Sequence, residues 1–95
     1  MKYRLVISPA LESMITHLNP GIKRKIRYAL EVIQEDPYLG KPLVDELKGF
    51  RSFRMSQYRI VYRIHQTRIE IQVIDIALRA VVYERLLTWV RSQRS

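Results

Sequence analysis

The sequence predicts an α+β fold: an N-terminal helical hairpin packed on a small antiparallel β-sheet of about four strands, followed by a C-terminal helix. Three observations predict it. Between residues 9 and 33, apolar side chains recur at helical spacing behind two capping signals. From residue 50 to 76 the apolar period falls to two, and from Ala77 it becomes helical again. The 95 residues leave room for one domain, 1–95.

The elements follow in order. Tyr3, Leu5 and Ile7 alternate with Lys2 and Arg4, which makes a first strand that stops at Ser8-Pro9. Ser8 caps the first helix and Pro9 occupies its first position, where a missing N–H costs nothing. Leu11, Met14, Ile15 and Leu18 form its apolar face. Asn19-Pro20-Gly21 ends that helix and starts a second, with Asn19 as cap. Ile22, Ile26, Ala29, Leu30 and Ile33 give the second helix one apolar stripe, with Lys23, Arg24 and Arg27 off it. So short a connection makes the pair an antiparallel hairpin. Residues 36–42, with two prolines and a glycine, read as a loop, and 43–48 show no clear period before Gly49. Strands at 50–55, 58–64 and 68–76 are joined by polar turns at Ser56-Gln57 and Gln66-Thr67, an antiparallel meander. Val82, Tyr83, Leu86, Leu87, Trp89 and Val90 are the apolar face of the last helix, and the polar tail 91–95 reads as frayed.

Charge separates the two halves. Residues 1–47 carry seven Lys/Arg against six Asp/Glu, whereas residues 48–95 carry ten against three, so almost all of the formal net charge of +8 lies in the second half. Nine of those ten cations are arginine, whose planar fork binds phosphate bidentately and stacks on bases. Such a field favours a polyanionic partner, with an acidic protein surface and a basic surface that serves only solubility as the alternatives. The chain has no cysteine, so a disulfide framework, a thiolate nucleophile and a zinc–cysteine site are excluded. His17 and His65 lack ligand spacing, and His65 falls at a turn; no metal site and no cofactor are expected. No apolar run is long enough to span a membrane and the N-terminal stretch is too short for a secretory signal, so a cytoplasmic protein without a membrane partner is expected.

The meander allows a residue-level prediction. A turn centred on Ser56-Gln57 places Arg54 opposite Arg59 and Phe53 opposite Ile60. A turn centred on Gln66-Thr67 places Arg63 opposite Glu70 and Tyr62 opposite Ile71. One sheet face is then a core and the other mostly polar. Arg63 with Glu70 is an ordinary stabilising pair. Arg54 opposite Arg59 costs roughly a few tenths to 1 kcal/mol. Two guanidinium groups aimed at one spot suit a phosphate; the alternatives are that both splay into solvent or that a carboxylate such as Asp75 sits between them.

The segment Leu47-Lys48-Gly49-Phe50-Arg51-Ser52-Phe53-Arg54-Met55-Ser56-Gln57-Tyr58-Arg59-Ile60-Val61-Tyr62 resembles the RelE-type toxin pattern: a leucine–basic–glycine entry, a basic strand, a turn, then tyrosine, arginine, two aliphatics and tyrosine. Ile76-Ala77-Leu78-Arg79-Ala80-Val81-Val82-Tyr83 resembles the family's closing segment. The element order agrees over nearly the whole chain. Resemblance to the RelE/ParE toxin superfamily implies the toxin half of a type II toxin–antitoxin pair, and for RelE-like members a ribosome-dependent endoribonuclease that needs no metal. In that chemistry the 2′-hydroxyl attacks the adjacent phosphate and leaves a 2′,3′-cyclic phosphate.

Carried over residue by residue, the resemblance puts Arg54, Arg59, Arg79 and Tyr83 on catalytic positions; Lys48, Arg51, Ser52 and Arg63 are expected as RNA contacts around them. It implies mRNA on the ribosome as target, an acidic antitoxin protein as partner, and operator DNA reached through that antitoxin. The chain departs from the pattern at Ser52, where RelE has a lysine, and at Leu78, often basic in the family. Ala77 stands where glycine is common, and Ala80-Val81-Val82 is more apolar than usual. These departures leave open a ParE-type gyrase inhibitor and a catalytically weakened relative that only binds its antitoxin.

Overall fold

A computed structural model describes residues 2–94 of the chain. Strand β1 (Arg4–Ile7) leads into helices α1 (Pro9–Thr16) and α2 (Pro20–Glu35). Both predicted caps form: Ser8 Oγ accepts from the Leu11 N–H at 3.1 Å, and Asn19 Oδ1 accepts from the Ile22 N–H at 2.9 Å. A 3-10 turn over Pro37–Leu39, a two-residue strand β2 (Lys41–Pro42) and a second 3-10 turn over Asp45–Leu47 precede the meander. The meander consists of β3 (Phe50–Met55), β4 (Tyr58–His65) and β5 (Glu70–Leu78), and helix α3 (Arg79–Ser92) closes the chain. No helix among the described residues is long and apolar enough to cross a membrane.

The α+β class and the element order are as predicted; the sheet differs. Among the described residues it has five strands in the order β1-β5-β4-β3-β2, and it is mixed, because β1 runs parallel to β5 with Leu5 opposite Ile71. The fifth strand, β2, lies in the segment read as a loop: Lys41 pairs with Ser52 and Pro42 with Arg51, too short a ladder to show a period. Pro42 lacks an N–H to donate and is tolerated because β2 is an edge strand.

The sheet is covered on both faces. The α1–α2 hairpin buries Leu11, Ile26, Leu30 and Ile33 against Ile60, Tyr62, Ile71, Val73 and Ile76. On the face predicted to be mostly polar, α3 buries Val82 and Leu86 against Phe50, Val61 and Ala77, with Tyr83 and Trp89 packed alongside. The edge-to-face contact of Phe50 with Trp89, ring centroids 6.1 Å apart, belongs to this second core.

The β4–β5 register also departs from prediction. The connection is the four-residue turn 66–69, with Ile69 in the left-handed region at φ 51°, and it pairs His65 with Glu70. Arg63 therefore faces Gln72, not Glu70, and Tyr62 faces Val73, not Ile71. The offset is an even number of residues, so the two faces keep their identity up to a β-bulge. At that bulge Val61 faces Asp75 while Tyr62 faces Val73, leaving Ile74 as the extra residue. Glu70 is buried and paired with Arg4 of β1 and with Arg68. The tail differs too. Arg91 and Arg94 both reach Glu46, and α3 continues to Ser92; Ser95 lies outside the described residues.

Tyr62 ties the loop region to the sheet. Its side chain is fully buried, its hydroxyl donates to the Pro37 carbonyl at 2.7 Å, and it accepts from the Gly40 N–H at 3.0 Å. A Cβ on residue 40 would collide with that hydroxyl, so this position needs glycine for the close approach. Burial raises the Tyr62 pKa above 10.0.

Tyr62→Phe leaves both loop groups without a partner and is expected to cost about 1–3 kcal/mol, read as a lower urea midpoint at unchanged slope. Because the folded pKa is raised, the stabilisation from the protonated phenol is complete below the unfolded value and is lost as pH rises through the folded one. The alkaline unfolding limb of the wild type should therefore carry a contribution that Tyr62→Phe lacks. The Arg91 hydrogen bond holds the Glu46 carboxyl below its usual range, so that clasp stabilises above the unfolded carboxylate pKa and is lost as pH falls through the folded value. Hydrogen exchange at the end of α3, corrected for intrinsic rates, should rise on acidification in the wild type. In Glu46→Gln it should already be raised at neutral pH.

Candidate functional site

The site grows from the β3–β4 hairpin. Ser56 takes φ 57° in the tight turn, and the register pairs Arg54 with Arg59 across the strands, as the turn position predicts. Opposed residues have Cβ atoms about 5 Å apart, so both guanidinium groups leave the sheet from one spot. No carboxylate among the described residues forms an ion pair with Arg54, Arg59 or Arg79. Asp75, the candidate counter-ion, is engaged elsewhere: its Oδ1 accepts from Arg85 Nη2 of α3 and from the Ile76 N–H, both at 2.9 Å.

The bulge completes the site. Beyond it Arg59 faces Ala77 and Tyr58 faces Leu78, so β5 delivers the start of α3 to the hairpin tip. The Arg79 N–H donates to the Gln57 carbonyl at 3.2 Å, which pins the first residue of α3 onto the turn. One helical turn further on, the Tyr83 hydroxyl lies 2.9 Å from Ser52 Oγ, and Ser52 is buried. Leu78 occupies the N-cap position and supplies no side-chain hydrogen bond. The positive end of α3 thus begins beside the arginines with its first N–H held by the turn and no side chain capping the others. This feature is absent from the sequence prediction, which starts the helix at Ala77. The available signal was an aliphatic residue, where Ser, Thr, Asp or Asn is the rule.

The structure thus brings together Ser52, Arg54, Arg59, Arg79 and Tyr83, and separates them from Lys48, Arg51 and Arg63. Arg51 is on the opposite sheet face, where its Nη1 donates to the Gly40 and Tyr38 carbonyls at 2.7 and 3.1 Å and its guanidinium covers the Tyr38 ring. Lys48 is exposed in the turn before β3 and lines a different depression, with Pro42 and Gln66. Arg63 shares the face of the arginine pair but lies at the other end of β4. There its guanidinium sits 5.4 Å from the Phe50 ring and 5.5 Å from the Trp89 ring, and its Nε donates to Gln72 Oε1 at 2.9 Å. His65 Nε2 lies 2.9 Å from the same Gln72 oxygen. This histidine is half-buried at the end of β4 rather than exposed in the turn.

Residues 9–83 match the family model of the ParE toxin of type II toxin–antitoxin systems, parDE. The chain belongs to this family, within the RelE/ParE toxin superfamily. Over 45 residues it is 42% identical to Toxin RelE of Mycobacterium tuberculosis, a match covering 47% of this chain and 46%, about half, of that protein. The toxin–antitoxin complex RelBE2 of Mycobacterium tuberculosis contains a chain that superimposes with a TM-score of 0.72 at 26% identity, covering 83% of this chain and all of that one. A free mutant of the E. coli toxin RelE superimposes with a TM-score of 0.74 over 99% of this chain and 98% of its own; at 14% identity this is a likeness of fold. The YoeB–YefM complex of Staphylococcus aureus shares the fold at a TM-score of 0.64 and 22% identity. Within this ParE-family chain, every residue of the arginine cluster except Ser52 occupies a position that the resemblance made catalytic.

The environments of the arginines predict opposite stability effects. Arg54→Ala and Arg59→Ala remove a like-charge contact and should leave the thermal midpoint unchanged or raise it slightly. Arg63→Ala loses two ring stacks and one hydrogen bond and should cost about 1–2 kcal/mol. Differential scanning calorimetry of the three variants checks the contrast.

Proposed function

We propose that this chain, a type II toxin of the RelE/ParE superfamily, cleaves mRNA on the ribosome as a metal-independent endoribonuclease. The observation that carries the reading is the Arg54–Arg59 pair, opposed across the hairpin, without a carboxylate partner among the described residues, and beside the N-terminus of α3, which no side chain caps. In the reaction the 2′-oxygen bonds to phosphorus, the P–O5′ bond breaks, and a proton passes from the 2′-hydroxyl to the departing 5′-oxygen. Negative charge grows on the non-bridging oxygens, and preorganised cations there lower the barrier. Arg54 and Arg59 are assigned to those oxygens and Arg79 to the leaving oxygen. The Tyr83 hydroxyl, bonded to Ser52, is assigned to proton movement or base stacking. Lys48, Arg51 and Arg63 have no role in this scheme. An acidic antitoxin that lays a segment over the arginine cluster would silence the toxin and could carry it to operator DNA. The reading places the protein in the cytoplasm.

A second reading, inhibition of gyrase, is favoured by one observation. Ser52 replaces the lysine of RelE, and its hydroxyl is already engaged by Tyr83, so it supplies no cation. Induction without an antitoxin distinguishes the two. Ribonuclease activity predicts growth arrest with mRNA cut inside reading frames on ribosomes. Intact mRNA with double-strand DNA breaks would establish the gyrase reading.

Arg54→Ala and Arg59→Ala should each lose about 2.7–4 kcal/mol of transition-state stabilisation, roughly a hundredfold to a thousandfold in cleavage rate, on a folded protein. Arg63→Ala should retain cleavage once its stability loss is allowed for. Unimpaired cleavage by both arginine-pair variants would sink the assignment.

A further inference from the structure

A second basic surface lies around the sheet edge from the arginine pair, and the cleavage chemistry does not use it. The first half of α2 carries Lys23, Arg24, Lys25 and Arg27, none of which makes an ion pair among the described residues. β2 pairs only with Arg51 and Ser52, so no strand among the described residues covers the outer edge of β3 beyond Ser52. Between α2 and that bare edge is a groove of about 570 Å³. Ala29, Phe53 and Met55 give it apolar lining, Arg24 and Lys25 give it charge, and Tyr28 and Arg54 complete it. Tyr28 is 70% exposed on this otherwise cationic stretch.

Each part suits one kind of occupant. An exposed aromatic ring is a stacking platform for an unpaired base, and neighbouring cations hold the phosphates on either side. The apolar lining rewards a base that has left its helix, which excludes an intact duplex. Arg54 is common to the groove and to the arginine pair, so the two sites are continuous. An acidic peptide would satisfy the cations, but it would not account for a ring standing in solvent beside them.

We propose that the α2–β3 groove binds the single-stranded RNA flanking the scissile phosphate, with one base stacked on Tyr28 and adjoining phosphates held by Arg24 and Lys25. The proposal rests on the assignment of Arg54 and Arg59 as phosphate ligands, and it adds a subsite that sets how the strand lies across the protein.

The test is binding of the full chain to a non-cleavable 2′-O-methyl oligoadenylate of about eight nucleotides, followed by fluorescence anisotropy. Tyr28→Ala should raise Kd about tenfold, and Tyr28→Phe, which keeps the ring, should restore it. The Arg24→Ala/Lys25→Ala double variant should reduce the slope of log Kd against log salt by about 1.4. A 4-thiouridine probe should crosslink to the peptide containing Tyr28. A Kd for Tyr28→Ala equal to the wild type, or crosslinks confined to other peptides, overturns the proposal. So does a wild-type chain that ignores the oligonucleotide while an antitoxin peptide protects residues 24–28 from hydrogen exchange. The two readings fail separately. Normal cleavage by Arg59→Ala alongside weak binding by Tyr28→Ala removes the catalytic assignment and keeps the groove; the reverse pattern keeps the catalysis and removes the groove.

Discussion

The bulge at Val61/Tyr62 is the constraint on which the rest of the structure depends. Before it, Ile71 and Val73 point at the helical hairpin and Gln72 at the opposite face. At the bulge Ile74 and Asp75 follow each other on the α3 side, and the alternation resumes one residue out of step. Without the extra residue, Ile76 would move under α3 and Asp75 would enter the hairpin core among Ile26, Ile33 and Ile60. A carboxylate there would have no partner, at a cost of several kcal/mol. With the bulge, Ile76 completes the hairpin core, Ala77 makes room for α3, and Asp75 meets Arg85. The same shift brings the start of α3 to Arg59, so one irregularity serves both cores and the site.

Charge is distributed to match. Carboxylates are spent where they staple elements together: Glu70 joins β1 to β5 through Arg4, Asp75 joins β5 to α3, and Glu46 joins the turn before β3 to the end of α3. Among the described residues none pairs with Arg54, Arg59 or Arg79. The repulsion between opposed arginines is a modest cost, offset by two hydrophobic cores that hold the hairpin in place. Among the described residues this cluster of cations pairs with no anion, and a tight hairpin keeps it in place.

Features controlled by short-range physics are legible in the residues alone. Ser8-Pro9 and Asn19-Pro20 cap their helices because a cap needs only a side chain within three residues of the N–H it satisfies. Arg54 faces Arg59 because a two-residue turn leaves a single register, so the centre of the candidate site was legible from Ser56-Gln57 alone. The bulge was not read from the sequence: the register predicted for β4–β5 is regular, and the extra residue at Ile74 emerges only from the packing of both sheet faces. Tertiary structure decided the rest, because those choices depend on partners far away in the chain. The parallel pairing of β1 with β5 joins residues more than sixty positions apart. Lys41–Pro42 is a strand only because β3 offers an edge to it. Arg51 and Arg63 carry the same charge as Arg54, yet each is drawn out of the site by contacts no local pattern encodes: the Tyr38 and Gly40 carbonyls for one, the Phe50 and Trp89 rings for the other. A charge can be counted from the sequence, but where its side chain rests is set by whichever distant surface solvates it best.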